Sequence, residues 1–376
     1  MLENPFRPGF GSWPPEFVGR DVDEILFREG LSNGPGSRYY RSLITGPRGV
    51  GKTVLLAAFR DIAEQAGYVT VAVDANDGMI RRICRDLRLV EDALDDNPTW
   101  KLNELGAGLS LGVVSGRVDA KRQELNQDED PMVLLKPLLE RVEAVVTDRG
   151  GAGLLLTVDE IHAASTKEFE RLGNDLQHVQ SIVFAGAALP TVDDQIFATP
   201  GGTFFSRLAR FSLEPLTLAD SVAALRPPLD EHDLVYDDVE LTAVAHRTKG
   251  YPYLVQLLGY EIWSRLSPGD DITEPLLSAA FDAAQAQSIF DVLAPSWRQL
   301  SPSSRRVLGV IAAGGSGRVA TADVIAELGK SHSWFSVYRS RLIKAGLMYA
   351  PERGFVQLTT GDQGAEWIRA QVMELE

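Results

Sequence analysis

Apolar residues concentrate along this chain in short runs separated by stretches of helical period. Ser42-Leu43-Ile44-Thr45, Tyr68 to Asp74, Leu154 to Val158 and Ile182 to Ala185 are rich in aliphatic and β-branched residues on consecutive positions, as strands buried on both faces are. A glycine-rich turn and an amphipathic stretch near Thr53 to Ala66 separate the first two, and each of the other two follows a helical stretch. That alternation predicts an α/β fold built on a parallel sheet. Ahead of it, Asp21 to Gly30 reads as a helix. Met1 to Phe17, with Pro5, Pro8, Pro14 and Pro15 among glycines and rings, reads as an extended arm.

The pattern then shifts twice. Small and apolar residues alternate from Gly106 to Gly116 and run into an acidic stretch, Glu124 to Asp130, so Leu102 to Asp130 is expected to form a surface β-like insertion and a solvated loop. From Leu216 to Ala294 the helical period takes over, stopping at Lys249-Gly250 and restarting after Tyr251-Pro252. Ser301 to Glu376 carries three helix signals, Ser303 to Ala313, Thr321 to Leu328 and Ser333 to Ala345, followed by a turn and strand over Glu352 to Leu358. The expected division is a core with its arm and insertion at 1–215, a helical domain at 216–296 and a C-terminal domain at 297–376. A length of 376 residues suits two or three domains.

Composition narrows the class further. With 44% hydrophobic and 24% charged residues the chain is ordinary globular material, neither disordered nor fibrous. No run approaches the ~18 uncharged apolar residues of a membrane span, and Met1-Leu2-Glu3-Asn4-Pro5 lacks the start of a secretion signal. A cytoplasmic setting without membrane contact is therefore expected. One cysteine, Cys84, can form neither an internal disulfide nor a thiolate zinc cage. The net charge of -15 opposes indiscriminate nucleic-acid binding by the whole surface. Trp297 to Ala350 departs from that average: Arg298, Arg305, Arg306, Arg318, Lys330, Arg339, Arg341 and Lys344 stand against Asp323 and Glu327, eight minus two, a local net of +6.

The strongest chemical signal is Gly46-Pro47-Arg48-Gly49-Val50-Gly51-Lys52-Thr53, a full G-x-x-x-x-G-K-[ST] between a predicted strand and a predicted helix. Glycines at that spacing let the backbone wrap a phosphate chain with its N–H groups inward, at the positive end of a helix dipole. Lys52 would reach the β- and γ-phosphates, the Thr53 hydroxyl would ligate Mg²⁺, and Val54 continues the binding segment into the helix. A nucleotide phosphate site also needs a carboxylate on the metal, and the strand Leu154 to Val158 ends on one in Asp159. The adjacent Glu160 could polarise the attacking water as general base. The alternative for Asp159-Glu160 is a cap on the next helix.

These two motifs in this order, with Phe17-Val18-Gly19-Arg20 ahead and a helical domain behind, resemble the AAA+ ATPases. More narrowly they are similar to the origin-recognition-like and archaeal-type prokaryotic ATPases, in which a P-loop core and helical lid are followed by a winged helix-turn-helix domain. The resemblance covers most of the chain outside Leu102 to Asp130. It implies ATP, with ADP as product and Mg²⁺ as cofactor, and adenine near Phe17, Val18 and Arg20. It also implies homo-oligomers in which an arginine late in the core reaches a neighbour's γ-phosphate. Phe205 to Leu216 is similar to the segment carrying that arginine, with Arg207 the first choice and Arg210 the second. Solvated arginines at a helix end are the alternative. Two departures point to slow hydrolysis and a nucleotide-controlled switch. The usual polar sensor position after the strand Ser181 to Gly186 reads Ala187-Ala188, and the usual lid arginine aligns with Tyr253.

The order of the last three helices, with Glu352 to Leu358 as the wing, looks like a winged helix-turn-helix. If it reads double-stranded DNA, the third helix would enter the major groove with His332, Ser333, Ser336, Arg339 and Ser340 as contacts, and Lys344 and Arg353 would meet phosphates. Leu342, Ile343 and Leu347 are expected in the core. A winged helix can equally hold a protein partner, which leaves a DNA-associated ATPase, a signalling or defence switch, and a structural module that binds ATP without turnover. Other patterns carry less. Gly108-Leu109-Ser110-Leu111-Gly112 lacks the strand-to-helix context of a nucleophile elbow, the five histidines show no metal-ligand spacing, with His162 expected to pack or cap behind Glu160, and Tyr39-Tyr40 and Phe204-Phe205 are expected in the core.

Overall fold

A computed structural model describes residues 3–9, 12–95, 130–190, 192–193, 196, 202–232, 234–266, 270–315, 317–345, 347–358 and 361–374. The expected insertion therefore lies outside the described residues, apart from Asp130, as does the G-x-S-x-G pattern. The chain forms two compact units, one of residues 20–45 and 52–212, the other of residues 1–19, 46–51 and 213–376.

The first unit is built on a five-stranded parallel sheet in the order β2-β3-β4-β1-β5, comprising β1 (Arg41–Thr45), β2 (Tyr68–Asp74), β3 (Gly153–Asp159), β4 (Val183–Ala188) and β5 (Ala209–Ser212). The parallel sheet is as the sequence predicts, with one strand more. Helices α1 (Asp21–Asn33), α2 (Lys52–Gln65), α3 (Met79–Asp95), α4 (Pro131–Asp148) and α5 (Thr166–His178) accompany it. Every residue of β3 and β4 is buried, which explains why their sequences read as continuous apolar runs without a polar face. Phe59 on α2 stacks on Phe27 of α1 at 4.0 Å and meets Phe211 of β5 edge-on, so these rings fasten two helices to the sheet edge. Phe204 and Phe205 join the main core and Tyr40 is buried, as expected, whereas Tyr39 is only half-buried.

In the second unit, α6 (Leu218–Asp230), α7 (Asp238–Arg247), α8 (Pro252–Ser264) and α9 (Glu274–Val292) enclose an apolar core of their own. Asp237 caps α7 by accepting from the N–H groups of Val239 and Glu240. The N-terminal arm, grouped by sequence with the core, sends Phe6 into this helical cluster, against the backbone of Gly259. Helices α10 (Pro302–Ala313), α11 (Thr321–Leu328), α12 (His332–Lys344) and α13 (Gly361–Met373) follow, with an antiparallel sheet of β6 (Val319–Ala320), β8 (Phe355–Leu358) and β7 (Met348–Tyr349). Leu342, Ile343 and Leu347 lie in the core of these elements, as expected.

Candidate nucleotide site

Strand β1 ends at Thr45 and α2 begins at Lys52, so Gly46 to Gly51 is the connection between a central strand and a helix. Gly49 and Gly51 hold φ of 76° and 97°, where a side chain would be strained. Val50 is fully buried, while Pro47, Arg48 and Val54 are half-buried. Lys52 is the first residue of α2 and is 6% exposed. A cation there opposes the helix dipole, and an anion before the same helix start relieves that opposition.

Asp159 closes β3, and its carboxylate is held from two sides. The Thr53 hydroxyl donates to Oδ2 at 2.7 Å, and the backbone N–H of Glu160 donates to Oδ1 at 2.7 Å. Its carbonyl accepts from the N–H of Ala75 at 2.8 Å. Burial pushes the Asp159 carboxyl above the usual carboxylate value, with the hydrogen bonds from Thr53 and Glu160 opposing. A hydroxyl and a carboxylate are hard oxygen donors that suit Mg²⁺, which takes few protein ligands and completes its shell with phosphate and water. Among the described residues there is no group of three or more His, Cys, Asp or Glu side chains placed to hold a metal. A metal at Thr53 and Asp159 would therefore depend on phosphate oxygens.

Glu160 has left-handed backbone angles, φ 52° and ψ 34°, where a short 3₁₀ turn over Ile161–Ala163 begins. For a residue with a side chain this costs on the order of 1 kcal/mol. Its carboxylate is 47% exposed, and Oε2 lies 3.4 Å from Nε2 of His162, whose side chain is 9% exposed. On the other side of that ring, Nδ1 accepts the backbone N–H of Leu189 at 3.2 Å.

The remaining sequence-derived candidates are placed as follows. Ala187 and Ala188 are fully buried and bring no polar side chain to the end of β4. Tyr253 donates its hydroxyl to Asp291 at 2.6 Å on α9 and its backbone N–H to the carbonyl of Gly49 at 3.2 Å. Arg48, Gly49, Lys249, Tyr251, Tyr253 and Asp362 line one cavity. Arg207 is exposed at the turn between the short helix Thr203–Ser206 and β5. Arg210 lies on β5 itself and pairs with Asp193 at 3.0 Å, so its segment is a strand rather than a helix end. The Phe17 ring lies 5.2 Å from Trp13, Val18 packs at the margin of the helical core, and Arg20 precedes α1.

On α12, Ser333 and Ser336 are exposed and Arg339 half-buried, while Arg353 is exposed in the turn between β7 and β8. Lys344 closes α12, its side chain lying outside the description. Sequence reasoning did not single out the cation and ring ladder beside them. Lys330 sits over Trp334, Trp334 over Tyr338 at 4.2 Å, and Arg341 over Tyr338. Among the named residues, Thr53, Asp159 and Glu160 form one connected group, and His162, expected behind Glu160, joins it.

Residues 16–184 match the family model described as AAA ATPase domain. Residues 16–184 are by this match an AAA ATPase domain. Residues 291–363 match a second model, described as Domain of unknown function (DUF8462). No curated protein matches the chain in sequence. Among solved structures, the fold is similar to the Walker-type ATPase paby2304 of Pyrococcus abyssi, at 15% identity and a TM-score of 0.62 over 94% of this chain and 96% of that one. It is also similar to the ORC2 protein of Aeropyrum pernix, solved in ADPNP and ADP complexes, at 14% identity and a TM-score of 0.59 over 98% of both chains. The matched domain therefore sits in a chain whose fold runs nearly end to end with these two proteins. No helix among the described residues is long and apolar enough to cross a membrane.

Proposed function

We propose that this protein binds ATP with Mg²⁺ and hydrolyses it slowly to ADP, using the nucleotide to switch between conformational or oligomeric states. The observation that carries the reading is the 2.7 Å hydrogen bond from Thr53 to Asp159, which joins the start of the helix after the phosphate motif to the carboxylate ending β3. In this reading Gly46 to Gly51 and Lys52 hold the phosphates, and Thr53 and Asp159 hold Mg²⁺, whose charge would offset that building on the γ-phosphate. Glu160 takes a proton from the attacking water. Ala187 and Ala188, in place of a polar sensor, support slow turnover, since the transition state loses a donor. The exposure of Arg207 supports a role at a neighbouring copy's phosphate, and the engagement of Arg210 with Asp193 favours Arg207 over it. Steady-state ATP turnover with and without Mg²⁺, comparing the parent with Lys52→Ala, tests the reading.

We further infer that 297–376 is a winged helix that contacts double-stranded DNA. The local excess of positive charge supports this, as does the face of α12 on which Ser333, Ser336, Val337 and Ser340 are exposed without an acidic residue among them. Duplex binding that weakens steeply with salt and falls with Arg339→Ala is the expected result. The second reading, a switch whose winged helix holds a protein partner, is favoured by the overall charge of -15 and is distinguished by indifference to duplex. A cytoplasmic, homo-oligomeric protein is expected under either reading.

A further inference from the structure

His162 bridges two chain segments at the catalytic end of the sheet. It follows β3 in the short turn Ile161–Ala163, its side chain is 9% exposed, and its ring touches a different partner at each nitrogen. Nδ1 accepts the N–H of Leu189, the residue immediately after β4, at 3.2 Å. A nitrogen that accepts from a backbone N–H carries no proton, which leaves the ring's proton on Nε2. Nε2 lies 3.4 Å from Oε2 of Glu160 and can donate to it.

We propose that His162 is a positioning residue for Glu160, a latch that ties its carboxylate to the backbone at the end of β4. The proposal rests on the reading of Glu160 as general base. Glu160 needs such a tie for two reasons visible in the structure. Its backbone is in the left-handed region, which a glutamate does not favour by itself, and its side chain is half exposed, so several rotamers are open to it. A base effective in proton transfer must be held within hydrogen-bond reach of the water it activates, and an imidazole anchored at its far nitrogen supplies that constraint. The anchor also occupies the end of β4 where Ala187 and Ala188 bring no polar side chain. Leu189 contributes through its backbone N–H, so the link survives any residue but proline at that position.

The proton stays on Nε2 throughout. The water loses its proton to Glu160, and the histidine only orients the acceptor.

Two measurements test the latch. Long-range ¹H–¹⁵N spectra of the full chain, free of nucleotide, should show one imidazole signal of the Nε2–H tautomer that disappears in His162→Gln; with five histidines in the sequence the assignment is tractable. An Nδ1–H tautomer at His162 would overturn the proposal. In turnover assays, His162→Phe, which fills the ring's space without either bond, should lower kcat about tenfold, the effect of one lost hydrogen bond of about 1.4 kcal/mol, with KM and ATP affinity little changed. His162→Gln, which can still accept and donate, should recover part of that loss. Unchanged kcat in His162→Phe alongside a severely slowed Glu160→Gln would overturn the latch and leave the general base standing. Full turnover in Glu160→Gln would instead remove the base, and the latch with it.

Discussion

Replacing Thr53 by valine keeps the side chain's shape and removes one of two hydrogen bonds to a buried carboxylate. That bond is 2.7 Å long and ends on Asp159 Oδ2. A hydrogen bond to a charged group contributes about 1.5–3 kcal/mol, and because Thr53 is exposed, water can partly replace it. The lower end, about 1.5 kcal/mol, is therefore the expected loss of stability at neutral pH in the absence of nucleotide and metal. The pH dependence has a definite sign. Burial raises the folded-state pKa of Asp159 above its unfolded value, so the charged carboxylate costs stability at neutral pH, and that cost fades as pH falls through the folded value. Losing the Thr53 donor enlarges the cost where the group is charged. Once it is protonated, only a neutral bond of about 0.5–1.5 kcal/mol is missing. Urea denaturation of parent and Thr53→Val in EDTA, at neutral and at mildly acid pH, should show a gap that narrows in acid. No gap at neutral pH, or one that widens in acid, would refute the reasoning.

Further outcomes follow from the same structure. Asp159→Asn, which removes the buried charge, should stabilise the nucleotide-free protein at neutral pH while abolishing Mg²⁺-dependent turnover; a less stable variant in the same urea titrations would contradict the burial cost. Cys84 is buried, and burial pushes its thiol up to about 12, so an aromatic disulfide reagent at neutral pH should react only after denaturant is added, and rapid stoichiometric release from the native protein would count against it. Phe6→Ala should cost about 3–5 kcal/mol, because the ring is 1% exposed within the helical core, and limited proteolysis should then cut the N-terminal arm first. Arg339→Ala should weaken duplex binding and reduce its salt dependence in fluorescence anisotropy; binding equal to the parent's would favour the protein-partner reading.

Much of this architecture is written in the chain's periodicity. The run Tyr68 to Asp74 is β2 to the residue, and Thr321 to Leu328 is α11 likewise. The other runs mark central strands whose ends shift by one to three residues. At β4 the shift has a physical source: Gly186, Ala187 and Ala188 have weak strand preference, yet all three pair with β1 and Gly186 also with β3, so tertiary pairing decides the state. Strand β5 was not legible because Ala209 to Ser212 is short, contains an arginine and lies at the sheet edge, where only the neighbouring β1 gives it a partner. Helix α13 follows β8 and packs Ala365 and Ile368 into the C-terminal core, a role the turn and strand before it do not announce.

The candidate site divides in the same way. A phosphate-binding motif is local in sequence, so Gly46 to Thr53 could be read directly, and Asp159-Glu160 is marked by its place at the end of an apolar run. The placing of His162 behind Glu160 could also be read so, but its second partner could not. Its two partners lie on opposite sides in the sequence, Glu160 before it and Leu189 after β4, and only the pairing of β3 with β4 brings them together. The same holds for Tyr253, whose hydroxyl finds Asp291 one helix further along.

The central claim is that Lys52 and its phosphate motif serve Mg²⁺-dependent ATP turnover, and steady-state phosphate release against protein concentration, with Lys52→Ala as the blank, tests it most directly. The expected result is slow Mg²⁺-dependent turnover in the parent alone, with a rate per subunit that rises with concentration as Arg207 reaches a neighbouring copy. Turnover at the level of Lys52→Ala at every concentration, with and without duplex, would contradict the account and remove the catalytic roles given to Glu160 and Arg207.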